Sequence, residues 1–191
     1  MIHPAGMSVQ VAQAFGNCPQ FIQQRQLTAV RGAVAGEAAA VRSTALAEQM
    51  CALVSVADTC FVASCVPQQG REPAVDVSHR GGWPGFVKVQ GNRLTMPEFS
   101  GNRFFNTLGN LLVNPRAGLL FVDFATGDLL QVSGSAELEW DAPEAKRFEG
   151  VEHLWHLDVE QAAWRPGGSR LRWEFESFSP ALKRTGIWPT G

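Results

Sequence analysis

The sequence predicts a mostly β protein with a few helices, built as an antiparallel barrel, and three observations predict it. Apolar residues recur at every second position in the clearest segment, Leu129–Trp140. There Leu130, Val132, Gly134, Ala136, Leu138 and Trp140 share one face, and Gln131, Ser133, Ser135, Glu137 and Glu139 share the other. The 19 glycines and 11 prolines fall mostly between apolar runs, where turns belong. About seven strand patterns surround one inserted helix, without the strand–helix alternation of a parallel sheet.

The elements follow in order. Residues 1–26 are polar and glutamine-rich around Gly16-Asn17-Cys18-Pro19, and 27–42 is an Ala-, Val- and Gly-rich stretch that fits no single element. The expected division is an N-terminal arm over 1–42 and a barrel domain over 43–191. Thr44–Val56 predicts a helix with Leu46, Met50, Leu53 and Val54 on one face and Ser43 or Thr44 as its cap. Thr59–Val66 is nearly all apolar, which predicts a strand buried on both faces. Pro67–Pro73 is a polar loop and Ala74–His79 a second strand. Phe86–Gln90 and Arg93–Met96 flank Gly91-Asn92, a hairpin signal. The inserted helix stops at Asn114-Pro115, and Ala117–Phe124 follows as a core strand. Asp141–Phe148 predicts a short helix. Leu154–Trp164 and Arg170–Phe178 predict two more strands, the second alternating Leu171, Trp173 and Phe175 with Arg172, Glu174 and Glu176.

Composition excludes several functions. A formal net charge of −2 steers the chain toward neither nucleic acid nor an anionic membrane. No apolar run approaches the ~18 residues of a membrane-spanning helix, and no basic-then-apolar leader opens the chain. The four cysteines form no C-x-x-C pair, so zinc-ribbon and thioredoxin chemistry have no support, and reduced thiols of a cytoplasmic protein are expected. The absence of tyrosine rules out a tyrosine acid or radical. His153 and His156 fall on a predicted strand, where their rings point to opposite faces, so no metal site is expected. There is no G-x-S-x-G or H-E-x-x-H, and nothing resembles a hydrolase.

Two segments carry the chemistry. In residues 94–115, Phe104, Phe105, Leu108, Leu111 and Leu112 make one helical stripe, which leaves Asn102, Arg103, Asn106 and Thr107 together near the helix start. Free backbone N–H groups with Asn, Thr and Arg donors suit a phosphate, in a chain with neither a Walker loop nor a dinucleotide fingerprint. In Asp76–Phe86 a strand ends in His79 and Arg80 and runs into glycines that let a backbone approach a ligand. Arg80 suits a phosphate or a carbonyl, or else a surface ion pair. Lys88 points away from the face shared by Val87 and Val89, toward a ligand or toward solvent. Gln131, mid-strand on the polar face, offers an amide to a polar ligand edge or to water.

These segments together resemble the flavin-binding core of the pyridoxamine 5′-phosphate oxidase-related family. The blocks that carry the resemblance are Gly-Asn-Cys-Pro-Gln-Phe-Ile-Gln (16–23), Asp-Val-Ser-His-Arg-Gly-Gly (76–82), Pro-Gly-Phe-Val (84–87) and the long run 101–121, as in a bacterial subgroup. In longer members of that subgroup the first block sits mid-chain, and this chain is expected to begin where their N-terminal region ends.

The resemblance implies an FMN-binding split β-barrel that forms a homodimer with FMN at the interface. By it, Arg80 contacts FMN, Thr95 and Met96 edge the isoalloxazine, Asn102, Arg103, Asn106 and Thr107 meet the phosphate, and Gln131 touches the flavin. His79, Lys88 and Ser100 complete the expected cofactor-binding set. True oxidases place Ser-Arg-Lys at the phosphate turn, whereas this longer segment carries Asn, Arg and Thr. Their C-terminal substrate-binding Trp and Arg are matched only by the candidates Arg184 and Trp188. The implied activity is an FMN-dependent oxidoreductase acting on a small molecule, with NAD(P)H as a reductant and His79 as the candidate acid or base. The alternative is a non-catalytic flavin carrier or sensor. A third reading is a barrel that has lost flavin and serves as an interaction domain.

Overall fold

Side-chain alternation and tight turns fold the chain into one large antiparallel sheet that closes into a split barrel. The computed structural model describes residues 2–3, 6–11, 14, 16, 18–32 and 39–188. Asn17 and residues 33–38, within two stretches singled out in the sequence, lie outside the described residues. The strands are β1 Ile2–His3, β2 Gly6–Met7, β3 Gln24–Val30, β4 Val41–Ser43, β5 Thr59–Val66, β6 Ala74–Gly81, β7 Lys88–Gln90 and β8 Arg93–Phe99. They continue with β9 Arg116–Val122, β10 Leu129–Glu139, β11 Val151–Arg165 and β12 Leu171–Ser177. The helices are α1 Glu48–Val56 and α2 Asn106–Val113.

The main sheet runs β6-β5-β9-β10-β11-β8-β7. The long β11 pairs with β10 along one edge and with β8 and then β4 along the other. β3 and β12 form a separate ribbon, and β1 pairs with β2. β7 and β8 meet through the Gly91-Asn92 turn, with Gly91 at φ +62°, a left-handed conformation that glycine adopts without steric cost.

The core lies between the barrel's inner face and the two helices. Cys60 and Val62 of β5, Leu94 and Met96 of β8, Phe121 of β9, Leu130 of β10 and Trp155 and Leu157 of β11 meet Met50 and Val54 of α1 and Leu108 of α2. Phe121 and Trp155 have no exposed surface, and complete burial of one such side chain contributes about 3 kcal/mol.

Several expectations need correction. The first helix starts at Glu48, not Thr44. Its N-cap is Ala47 without a side-chain cap bond, because Ser43 is drawn into the β4–β11 pairing and Leu46 N–H donates to Asn92 Oδ1 instead. The stretch 27–42 contains the end of β3 and the start of β4. Asp141–Phe148 forms only a single 3-10 turn, Ala145–Arg147. α2 begins at Asn106, so Asn102 and Arg103 precede it. Its buried face is Thr107, Leu108 and Leu111, while Phe104, Phe105 and Leu112 are exposed. The expected stripe crosses a boundary that the backbone breaks: Arg103 and Phe105 both adopt positive φ, 59° and 53°, outside helical geometry.

Candidate functional site

β6 is the element that positions the site. It pairs with β5 in register, Cys60 opposite Arg80, Val62 opposite Ser78 and Ser64 opposite Asp76. Strand alternation therefore turns Asp76, Ser78 and Arg80 inward with Cys60 and Val62, and turns Val75, Val77 and His79 outward with Phe61.

Against the inward face α2 contributes a polar seam. Thr107 Oγ1 donates to Asp76 Oδ2 at 3.1 Å and lies 3.0 Å from Ser78 Oγ, and Asn110 Nδ2 donates to Ser64 Oγ at 3.1 Å. At the open end of the seam Arg80 Nη1 donates to Ser78 Oγ and to the His79 carbonyl, and Arg80 Nε faces Glu98 Oε2 at 3.3 Å. That last contact is an ion pair outside hydrogen-bond alignment. Arg80 Nη2 makes no hydrogen bond among the described residues.

The seam opens into a cleft of about 90 Å³, lined by Arg80 and Glu98, the loop 101–105, the start of α2, and Cys18, Gln20 and Phe21. That is room for a phosphate-sized anion or a few waters. Asn102 Oδ1 accepts from Phe104 N–H and fixes the loop, while Asn106 and Arg103 remain exposed at its rim. Arg103 reaches Glu152 at 3.9 Å. The first N–H groups of α2 have no side-chain cap.

The segment 18–23 closes one side. A Cβ on Gly81 would collide with the Phe21 carbonyl oxygen, so glycine is what lets this segment cross the end of β6. Gln23, 5% exposed, clamps it: Nε2 donates to the carbonyls of Phe21 and Gly82, and Oε1 accepts from Ser179 N–H. Arg25 then grips Asp58 through one nitrogen, 2.6 Å from both carboxylate oxygens.

Local electrostatics follow from burial first. Desolvation pulls the His79 imidazole down to about 4, with the Arg80 charge adding to it, so His79 is neutral at pH 7. Burial pushes the Cys60 thiol up to about 12 even though Arg80 opposes the shift, which leaves it inert. Burial also raises the Glu98 carboxyl, and Arg80 holds it down in part.

The structure thus gathers His79, Arg80, Asn102, Arg103, Asn106 and Thr107 around one cleft. Thr107 is 2% exposed and spends its hydroxyl on Asp76 and Ser78, so it shapes the cleft from behind. Ser100 lies exposed between two lining residues, Phe99 and Gly101. The other four lie elsewhere. Lys88 pairs with Glu144 at 2.7 Å and sits over the Trp188 ring. Thr95 is buried against His156 Nδ1 at 3.0 Å, and Met96 is sealed in the core. Gln131 faces a second, open groove of about 920 Å³ on the outer sheet face, with Phe61, Val77, Leu120, Ser133 and Gln161.

Sequence reasoning passed over Asp76, Ser78 and Glu98. The signal was available: they share strand parity with Arg80 and Met96. Of the C-terminal candidates, Trp188 donates through Nε1 to the Phe86 carbonyl at 2.8 Å, and Arg184 donates to Gln20 Oε1 at 2.7 Å.

Fold and cleft define a split-barrel protein with an arginine-bearing cleft at the junction of β6, β8 and α2. The chain belongs to the pyridoxamine 5′-phosphate oxidase family, whose model matches residues 33–180. Among solved structures it is similar to a putative pyridoxamine 5′-phosphate oxidase from Lactobacillus delbrueckii, with 18% identity over 65% of this chain and 98% of that one and a TM-score of 0.49. HupZ of Group A Streptococcus gives 16% identity, 65% and 97% coverage and a TM-score of 0.48. An FAD binding protein from Mycobacterium smegmatis gives 15%, 64% and 97%, and 0.44. A comparison with curated proteins returns no match. Among the described residues, no helix is long and apolar enough to cross a membrane.

Proposed function

We propose that the chain is an FMN-binding flavoprotein acting as an FMN-dependent oxidoreductase on a small molecule, with NAD(P)H as reductant. The observation that carries this reading is the meeting of two sequence-distant donor sets, Arg80 with Ser78 and Asn102–Asn106 with the α2 start, in one phosphate-sized cleft. The donors fit the group: a guanidinium whose Nη2 makes no hydrogen bond among the described residues, a second arginine at the rim and uncapped helix N–H groups. When bound, FMN supplies the redox chemistry. The residues of this chain hold the phosphate and fix its position.

The outer groove beside Gln131 suits a ring-sized ligand in volume. Exposed Val77 at that groove, with exposed Val75 beside it on β6, supports a homodimer formed over that face, with FMN at the interface. Four unpaired thiols support a cytoplasmic setting. One observation favours the alternative of a non-catalytic carrier or sensor: His79, although it lines the cleft, is held neutral and packs edge-on against Phe61, 5.9 Å between ring centroids.

The test is the ultraviolet–visible spectrum of the purified protein and of the supernatant after heat denaturation. Flavin bands released as FMN, and lost in Arg80→Gln, are expected. A colourless protein that takes up no added FMN would sink the flavin reading. NAD(P)H oxidation by the flavin-loaded protein then separates enzyme from carrier.

A further inference from the structure

Both arginines of the anion site already have a carboxylate. The exposed Arg103 has the half-buried Glu152 at 3.9 Å, a long contact that water screens from the Arg103 side. Arg80 has Glu98 at 3.3 Å, with side chains only 19% and 14% exposed. We propose that Glu98 is the proton-coupled counter-ion of this site: a phosphate monoester that takes the Arg80 guanidinium displaces Glu98, which then binds a proton. The inference rests on the phosphate reading of the cleft given above.

The geometry leaves Glu98 little choice. It stands on β8 and faces Arg80 of β6, and Glu152 and His153 of β11 are the other charged or titratable groups acting on it. Asp76 and His79 of β6, Arg103 of the loop and Cys18 of the N-terminal segment line the same cleft. Asp76 Oδ1 is buried without a hydrogen-bond partner, so the inward seam already holds one carboxylate oxygen short of a donor beside Arg80.

Arg80 is the largest influence that keeps Glu98 ionised, and burial opposes it. Once phosphate shares Arg80, Glu98 faces a new negative charge at short range. A partly buried carboxylate in that position neutralises by taking up a proton. The balance is simple: one phosphate dianion enters and one proton from solvent goes to a Glu98 carboxylate oxygen. By linkage, affinity for phosphate falls as pH rises through the interval between the free and ligand-bound titrations of Glu98.

The experiment titrates FMN and riboflavin into flavin-stripped full-length protein, wild type, E98Q and R80Q, from pH 7 to 9. The phosphate is doubly charged throughout that range, since its second ionisation lies near pH ~6. Wild-type FMN affinity is expected to fall with pH, by up to about tenfold per unit. E98Q is expected to bind FMN about tenfold tighter at pH 8, because one competing charge is gone, and to lose most of the slope. Riboflavin, which lacks the phosphate, should not distinguish wild type from E98Q. Calorimetry of the wild type at pH 8 in buffers of different ionisation enthalpy should show net proton uptake, which tests the inference without a variant. FMN binding that R80Q weakens but that shows no proton uptake and the same slope in E98Q overturns the role of Glu98 and leaves the site standing. FMN binding untouched by R80Q overturns the site and the inference with it.

Discussion

The two faces of β6 differ more than any two distant parts of the molecule. Inward, Asp76, Ser78 and Arg80 join Thr107 and Glu98 in a continuous polar seam. Outward, Val75 and Val77 are more than half exposed, and His79 leans on Phe61. The pleat, through a rotation of about 180° per residue, separates neighbours in the chain into two environments. Adjacent His79 and Arg80 leave β6 with opposite parity, and only because they stand at the strand end do both reach the cleft. A cluster of polar residues on a strand is thus two half-clusters, and along the body of the strand the half with matching parity forms the seam.

The largest break in this arrangement comes from Gly81→Ala. Its Cβ has no room beside the Phe21 carbonyl, so the strand end and the segment over it must part. Destabilisation of about 3 kcal/mol is expected in urea unfolding, with faster proteolysis near residues 18–23. Thr107→Val keeps the shape but strips the donor from a carboxylate that already has one unpartnered oxygen. A loss of about 2 kcal/mol is expected. If Thr107→Val unfolds at the wild-type midpoint, the inward seam is not a structural unit.

Acid sharpens the outward face. His79 has its folded value depressed to about 4, whereas the unfolded chain titrates near 6.5. The unfolded state therefore binds the extra proton between these values. The stability this contributes is complete above pH 6.5 and is lost as pH falls toward 4. After allowance for partial exposure it amounts to about 1–2 kcal/mol, and His79→Gln should flatten that part of the pH–stability curve. Smallest of all, Val77→Ala at an exposed position should change single-chain stability by less than about 0.5 kcal/mol. A larger loss that grows on dilution would show the face buried against a second copy.

Much of the fold was legible because its signals are local. Thr59–Val66 is β5 to the residue, the Gly91-Asn92 hairpin is present, and β10 follows its alternation. β3 escaped notice because its residues are largely exposed and polar, and its partner β12 lies more than a hundred residues away. Periodicity cannot report a strand whose reason for existing is a distant edge. The Phe104–Phe105 error has a different origin: two consecutive aromatics look like core, yet the left-handed turn at Arg103 and Phe105 projects them outward. The 76–82 and 101–107 blocks stood out in the sequence, and the structure brings residues of both to one cleft. Their division by parity, and the capture of Arg80 by Glu98, needed the register.

The β3–β12 ribbon also bears on how the cleft is walled. Its pairing joins Gln24 to Ser177, a closure across more than a hundred residues that is costly in chain entropy. The cover of the cleft, residues 18–23, runs directly into β3 and is clamped by Ser179 beyond β12. One wall of the pocket therefore depends on a seam between segments far apart in the chain. In native-state hydrogen exchange the amides of β3 and β12 should open at lower free energy than those of β5 and β10, carrying the cleft open with them.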